Sequence, residues 1–173
     1  IWVSIISAIV VGFPYLLFEL WRFISPGLHK PERKSARGIV FWGSLLFMTG
    51  VLFGYFLISP LSVQFLGNYS VSSLVENKIS IASFISTIST ITLASGIIFE
   101  LPLAIYFLTK LGIVTPRILK VYRRHAIVGV LILSAIITPP DISSQLLVSL
   151  PLVVLYEISI YISRWVEKRM NKE

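Results

Sequence analysis

Long apolar runs separated by short basic segments organise this chain. Ile1–Phe18 and Gly38–Ser59 contain no charged residue, and the run from Ile79 to Thr109 contains only Glu100. A helix rises about 1.5 Å per residue, so about 20 apolar residues cross the hydrocarbon core of a bilayer. The pattern predicts an all-α, polytopic membrane protein forming a single transmembrane domain. Its five spans are predicted at about 1–23, 38–59, 79–109, 124–140 and 142–163.

The last two spans are predicted to be short. The runs Ala126–Pro140 and Ile142–Tyr156 meet at a tight Thr-Pro-Pro-Asp turn, Thr138–Asp141. Each run is about 15 residues long, which covers about 22 Å of helix. Either flanking Arg side chains extend to the membrane surface, or the bilayer thins locally around these helices.

The basic residues predict the orientation of the chain. Fourteen of the fifteen Lys and Arg residues lie in the segments 20–37 and 110–124 and in the C-terminal tail, and Lys78 is the exception. Since basic residues accumulate on the cytoplasmic side, the loops 24–37 and 110–123 and the C-terminus are predicted to be cytoplasmic. Five spans place Ile1 on the outside, so a sixth span is expected before it, and the chain is expected to lack that first helix.

Composition excludes several classes of protein. The chain is 55% hydrophobic and 13% charged, with a mean hydropathy of +0.87, which is too apolar for an ordinary soluble domain. The net charge of +7 follows from topology and does not indicate nucleic-acid binding. There is no cysteine and no GxxxxGK[ST] motif, and His29 and His125 are far apart in the sequence. No catalytic, metal-binding or cofactor-binding residue is assigned, and the chain is predicted not to be an enzyme.

Glu100 is the strongest functional candidate found from the residues alone. An ionised carboxylate inside a membrane is costly, so Glu100 must be protonated, paired or open to a hydrated cavity. It could be a protonated group bonded to a neighbouring helix, a proton site, or a contact for a polar partner. Pro102 can kink the helix nearby and open such a cavity.

Other polar and small residues in the spans leave alternatives open. Glu157 is a second intramembrane acid, and an ion pair with Arg164 at the membrane boundary is an equal alternative. The pair Gly50 and Gly54 forms a GxxxG pattern, which favours close helix packing. Several Ser and Thr side chains of the third span could bond between helices or line a hydrated cavity: Ser83, Ser86, Thr87, Thr90 and Ser95.

Three stretches of the sequence resemble one family. They are LWRFISPGLHKPERK from Leu20, GIIFELPLAIYFLTKLGIVTPRILKVYRR from Gly96 and ITPPDISSQLLVSLPLVVLYEIS from Ile137. In this order and spacing they resemble the TatC family, the membrane subunit of the twin-arginine protein translocase. The resemblance covers essentially the whole chain after the family's first span.

The resemblance implies a fold and a function. The family has six transmembrane helices in a cupped bundle with both termini cytoplasmic, and five of the six are expected here. It binds twin-arginine signal peptides of folded proteins at the cytoplasmic face. It assembles with the single-span subunits TatA and TatB, and export is driven by the proton-motive force. The implied location is the bacterial inner membrane, or alternatively the thylakoid or mitochondrial inner membrane. Further implied partners are other copies of the chain and membrane lipid.

The resemblance also implies a signal-peptide site in the first cytoplasmic loop. Phe23 and Glu32 match the family's aromatic and acidic residues there, and Glu19 adds a carboxylate where the family commonly has Gln. A carboxylate binds a guanidinium through two charge-assisted hydrogen bonds, which suits a peptide with paired arginines. His29 and Pro31 stand where the family often has Tyr and His.

Two further sites are implied within the membrane and at its outer face. Thr138 and Gln145 match a polar contact site for a TatA or TatB helix, and Asp141 matches the acid of the outer hairpin. Glu100 matches the acid inside the family's concave face. An alternative function is a proton-coupled transporter of small solutes with Glu100 as its proton site. Such transporters usually contain internal repeats, and no repeat is visible in this chain.

Overall fold

Helices account for nearly all of the structure, a computed structural model that describes residues 1–24, 36–68, 80–138 and 142–170. Eight α-helices and one π-helical turn, Gly54–Ile58, follow one another, and no strand occurs in these residues. The α-helices are α1 Trp2–Ile24, α2 Ala36–Phe53, α3 Ser59–Asn68, α4 Ile81–Phe99, α5 Leu101–Lys110, α6 Pro116–Val121, α7 Arg123–Ile137 and α8 Ile142–Met170. The predicted all-α fold class is confirmed.

Four helical segments are long and apolar enough to cross a membrane. They are Trp2–Phe23, Gly38–Gln64, Ile81–Lys110 and Gln145–Met170. α7 contains 15 residues and occupies the region of the predicted span at 124–140. Large apolar side chains face outward along these helices, among them Val11 and Ile136, which are 80% and 74% exposed. Lipid is the environment that such a surface requires.

The second span extends beyond the end predicted for it. The sequence predicts an end at Ser59 because Pro60 cannot donate a backbone hydrogen bond, yet the helix continues through Pro60 to Asn68. The π-helical turn resolves the conflict, because the Ser59 N–H donates to the carbonyl of Gly54, five residues earlier. The Ser59 hydroxyl donates to the same carbonyl over 2.9 Å. This wider turn admits the proline ring without breaking the helix.

The last helix also continues past its uncharged run. α8 contains 29 residues and ends at Met170, whereas the sequence predicts a short span ending at 163. Helical packing continues beyond Glu157 because Ser159, Ser163 and Val166 are buried. Of the last two helices, only α7 is therefore short.

Two apolar clusters hold the helices together. The larger one joins the π-helical turn, α4, α7 and α8 through Ile58, Ile91, Phe99, Val130, Val148, Leu152 and Leu155. The smaller one joins α5, α6 and α8 through Ile105, Leu119, Tyr156 and Ile160. α2 packs mainly on α4, and α5 packs mainly on α8. The helix pairs α2–α4 and α5–α8 thus form the framework around Glu100.

Candidate functional site

Glu100 lies at the break between α4 and α5. Its N–H donates to the carbonyl of Ile97 over 3.1 Å, and its carbonyl accepts from the N–H of Ala104 over 2.9 Å. Pro102 stands in the first turn of α5 and is fully buried. Because proline favours the first turn of a helix, the chain restarts as α5 directly after Glu100. This geometry accords with the helix kink that Pro102 predicts.

The Glu100 carboxylate is enclosed by three helices. Both oxygens are inaccessible to solvent, and neither forms a hydrogen bond of standard geometry with the residues that the structure describes. The backbone N–H of Phe47 on α2 lies near the carboxylate as a weak donor. Gly43 of α2 faces this carboxylate, because a Cβ built on Gly43 would lie 3.6 Å from Glu100 Oε2. The same Cβ would lie 2.7 Å from Leu17 Cδ1 and 2.8 Å from Leu103 Cδ2. The acid therefore lies where α1, α2 and α5 meet, and the absence of a side chain on Gly43 leaves room for Leu17 and Leu103 beside it.

Sequence reasoning missed the role of Gly43. Gly43 precedes Gly50 by seven residues and Gly54 by eleven, which places all three on one face of a helix. The GxxxG pattern drew attention only to the last two. The signal that could have identified Gly43 is this repeat of glycines along one face.

The pair Gly50 and Gly54 packs α2 and the π-helical turn against α4. A Cβ on Gly50 would lie 2.7 Å from both the Ser95 carbonyl oxygen and Phe99 Cβ. A Cβ on Gly54 would lie 2.8 Å from Ser95 Oγ and 3.0 Å from Thr92 Cα. The predicted packing role of the GxxxG pattern is confirmed.

Two more polar atoms of α4 are buried near this contact. Thr92 Oγ1 and Ser95 Oγ are inaccessible to solvent and lack a hydrogen-bond partner within the described part of the chain. Thr87 and Thr90 instead donate to carbonyls of their own helix, those of Ser83 and Ser86. α4 and the break that follows it thus carry three buried polar side chains without a standard hydrogen bond to the described residues, Thr92, Ser95 and Glu100.

The end of α1 presents two of the three predicted signal-peptide residues. Phe23 is 85% exposed, and Glu19 lies one turn before it. Glu19 Oε1 is 3.7 Å from Arg22 Nη1, an exposed ion pair that water screens strongly. Glu32, the third predicted residue, lies outside the described residues.

Thr138 and Gln145 both bind carbonyls of α7. The Thr138 hydroxyl donates to the Ser134 carbonyl over 2.7 Å, and Thr138 is buried. Gln145 Nε2 donates to the Leu131 carbonyl over 3.1 Å from the first turns of α8. The two predicted contact residues therefore cap the last turns of α7 in this chain. Asp141 lies outside the described residues.

Glu157 pairs across helices with a different residue from the one considered in the sequence. Its Oε1 accepts a hydrogen bond from Arg123 Nε at the start of α7. The possible partner Arg164 lies on α8 itself, two turns further on. The adjacent Tyr156 hydroxyl donates to the Leu119 carbonyl over 2.8 Å, which fixes α6 on α8. Glu157 therefore tethers α7 to α8.

Comparison with known proteins finds similarity to members of one family. The sequence profile described as Sec-independent protein translocase protein (TatC) matches residues 1–151. A TatC protein of Blattabacterium sp. subsp. Periplaneta americana is 43% identical over 169 residues, covering 98% of this chain and 64% of the relative. A TatC protein of Helicobacter pylori strain J99 is 42% identical over 164 residues, covering 95% of this chain and 66% of the relative. This chain thus spans about two thirds of the length of these relatives.

Solved structures show the same similarity in three dimensions. The crystal structure of a twin-arginine translocase receptor, TatC, superposes with a TM-score of 0.75 at 36% identity, covering 95% of this chain and 72% of that one. A second structure of that receptor, in DDM, gives a TM-score of 0.76 over 93% of this chain and 72% of that one.

Proposed function

This chain belongs to the TatC family, and we propose on that basis that it is a subunit of the Sec-independent, twin-arginine protein translocase. It is a multi-pass membrane protein. Its role is to bind the twin-arginine signal peptides of folded proteins at the cytoplasmic face, without catalysis. Export is driven by the proton-motive force, in keeping with the lack of a GxxxxGK[ST] motif in the sequence.

The signal-peptide site consists of Phe23, Glu19 and Glu32. Phe23 offers an exposed ring onto which a guanidinium can stack, and Glu19 supplies a carboxylate one turn away. Glu32 follows within the next loop and supplies the second carboxylate. The bases Lys30, Arg33 and Lys34 repel a basic peptide, so its attraction must come from these acids.

Polar contacts in the membrane bind the single-span subunits TatA and TatB. Thr138, Gln145 and Asp141 form one such contact at the outer hairpin. Support comes from two hydrogen bonds, one from each side chain to an α7 carbonyl, which hold Thr138 and Gln145 together at the end of α7. Glu100 is a separate intramembrane polar site, and a hydrogen-bond donor brought to its buried carboxylate would stabilise it.

The complex is located in the bacterial inner membrane, with the C-terminus of this chain in the cytoplasm. The clustering of fourteen of the fifteen Lys and Arg residues on one side supports this orientation. Its further partners are other copies of the chain and membrane lipid.

The observation that carries the signal-site proposal is the exposed Phe23 beside Glu19 at the end of α1. In membranes that also contain TatA and TatB, a twin-arginine peptide with a photoreactive group should crosslink to the wild-type chain. Glu32→Ala and Phe23→Ala should each lower the yield at least tenfold, because each removes a direct contact with an arginine.

The matched control is Glu76→Ala, which removes an acid from the loop predicted to lie on the opposite side of the membrane. Its yield should equal that of the wild type, and membrane insertion should be the same for all variants. Undiminished crosslinking of Glu32→Ala would contradict the assignment of Glu32 to the signal-peptide site. Crosslinking of a twin-lysine peptide at the same yield would argue against an arginine site.

A further inference from the structure

A basic cleft between α6 and α8 belongs to none of the sites above. It has a volume of about 580 Å³ and is lined by Thr115, Pro116, Arg117, Lys120, Arg164 and Glu167. Three bases and one acid give the lining a net positive charge. The cleft therefore attracts an anion.

The bases of the cleft have no partner of their own in the part of the chain that is described. Arg117, Lys120 and Arg164 form no salt bridge there, even with Glu167 in the same lining. Their neighbours are engaged, since Arg123 pairs with Glu157 and Arg169 lies 4.2 Å from the centre of the Trp165 ring. The three cleft bases are thus available to an anionic ligand.

α6 holds the cleft rigidly in place. Its residues Pro116 and Leu119 are buried, and the Leu119 carbonyl accepts from the Tyr156 hydroxyl over 2.8 Å. The Thr115 hydroxyl caps the helix by accepting from the N–H of Ile118 over 3.3 Å. Arg117 and Lys120, three residues apart, therefore project from a fixed support.

Exposed apolar side chains alternate with the cleft bases along α6 and just before it. Ile118 and Val121 of α6 are 44% and 73% exposed, and Ile113 just before the helix is 62% exposed. Exposed apolar residues interleaved with bases are typical of a short helix lying in the membrane interface. A ligand of this cleft can thus place its charge on the bases and its apolar part on Ile118 and Val121.

We propose that the cleft binds an anionic phospholipid, with the headgroup phosphate on Arg117, Lys120 and Arg164. The acyl chains run along Ile118 and Val121 into the bilayer. Phosphate oxygens suit an arginine fork and a lysine ammonium. A free phosphate ion uses the bases alone, and an acidic peptide gains little from apolar residues that face lipid. The exposed apolar side chains next to Arg117 and Lys120 in α6 therefore favour the lipid.

The test is retention of lipid by the whole chain in mild detergent, followed by native mass spectrometry. Dioleoyl phosphatidylglycerol should bind at least tenfold more tightly than dioleoyl phosphatidylcholine. Each base near a membrane surface contributes about a fivefold factor in affinity for an anionic lipid. The double variant Arg117→Gln, Lys120→Gln should thus lose about twenty-five-fold, while Glu167→Gln should strengthen binding because it removes a like charge.

The matched control is Arg124→Gln, which removes an exposed base outside the lining of the cleft. It should retain phosphatidylglycerol like the wild type. Equal losses in Arg124→Gln and in the double variant would overturn the proposal, because binding would then follow overall charge. Lys120→Arg, which keeps the charge, should bind normally, and its failure to do so would also count against the cleft.

The lipid is distinguished from a free anion in two ways. Inorganic phosphate at millimolar concentration should not displace phosphatidylglycerol, and displacement would show a phosphate site with no need of acyl chains. The pair Ile118→Ser, Val121→Ser should lower retention of phosphatidylglycerol while the bases remain. Unchanged retention in that pair would overturn the proposed path of the acyl chains.

Discussion

The helix pairs α2–α4 and α5–α8 differ in whether their buried polar side chains form hydrogen bonds. Between α5 and α8, Thr109 Oγ1 and Ser163 Oγ lie 2.8 Å apart in a buried hydrogen bond, and Ser159 donates to the Leu155 carbonyl. Between α2 and α4, the helices approach through glycines, while Ser95 Oγ has no partner in the described part of the chain. One interface satisfies its polar side chains, and the other leaves them unpaired.

This difference indicates that the α5–α8 interface is structural, whereas the α2–α4 interface retains polar groups that can still bind a partner. A buried polar atom without a partner costs free energy, and lipid offers no hydrogen bond in compensation. The α5–α8 pair avoids that cost, because its buried hydroxyl groups form hydrogen bonds within the chain. On the α2–α4 side, Thr92, Ser95 and Glu100 lack a hydrogen bond of standard geometry with the described residues, so an added donor or a water molecule stabilises this side most. Stability and function should therefore respond differently to changes at the two interfaces.

The largest effect is expected from filling the glycine contact between α2 and α4. Gly50→Val should lower the free energy of unfolding by about 3 kcal/mol, because added atoms force tightly packed helices apart. The obstacles are the Ser95 carbonyl oxygen and Phe99 Cβ, each 2.7 Å from the new Cβ, and neither is the end of a flexible side chain. Unfolding of the detergent-solubilised chain by sodium dodecyl sulfate measures the change.

The control for this variant is Gly12→Val. A Cβ on Gly12 of α1 meets no atom within 4 Å, so the same substitution there tests helix propensity without the contact. It should change stability by less than about 1 kcal/mol. Equal destabilisation by the two variants would show that close approach of α2 and α4 is not what Gly50 provides.

A smaller effect of opposite sign is expected at Glu100. Glu100→Leu should raise the free energy of unfolding by about 1–2 kcal/mol, because it replaces an unpaired buried carboxylate with an apolar side chain of similar size. Export of a twin-arginine substrate by a reconstituted translocase should be lost in the same variant. Glu100→Gln should export better than Glu100→Ala, because the proposed contact needs a polar group.

The result that would contradict this prediction is a destabilised Glu100→Leu variant. It would mean that the acid stabilises the break between α4 and α5. Equal export by Glu100→Gln and Glu100→Ala would remove the argument for a polar contact. Both measurements thus test whether the buried polar groups on the α2–α4 side serve function at the expense of stability.

Much of the fold was predictable, because apolar runs and proline positions are local signals. The long helices follow from the uncharged runs, and the break at Glu100 follows from Pro102. The course of the chain through Pro60 was not predictable. It depends on a π-helical turn in which Ser59 bonds to Gly54, and such a turn has no distinct sequence signal. The extension of α8 to Met170 depends on buried residues beyond the charged Glu157, which requires knowledge of its neighbours.

The sequence was sufficient to predict which residues form the candidate site, but not which residues they contact. A lone acid in an apolar run identifies Glu100, but its neighbour Gly43 lies on another helix. The partner of Glu157 was likewise open, because Arg123 is close to it only once α7 and α8 fold together. Thr138 and Gln145 were assigned by resemblance, and their bonds to the α7 carbonyls depend on the hairpin geometry.

The smallest effect is expected at the hydrogen-bonded interface. Thr109→Val keeps the shape of the side chain and removes the bond to Ser163, so the free energy of unfolding should fall by about 0.6–1 kcal/mol. Thr49→Val is the matched control, since the Thr49 hydroxyl also donates to a carbonyl four residues earlier but is exposed. Thr49→Val should be close to neutral in the same unfolding assay, and export should be retained in both variants. If Thr109→Val were as neutral as the control, the hydrogen bond to Ser163 would contribute nothing measurable, and the contrast between the two interfaces would rest on the unpaired groups of α4 alone.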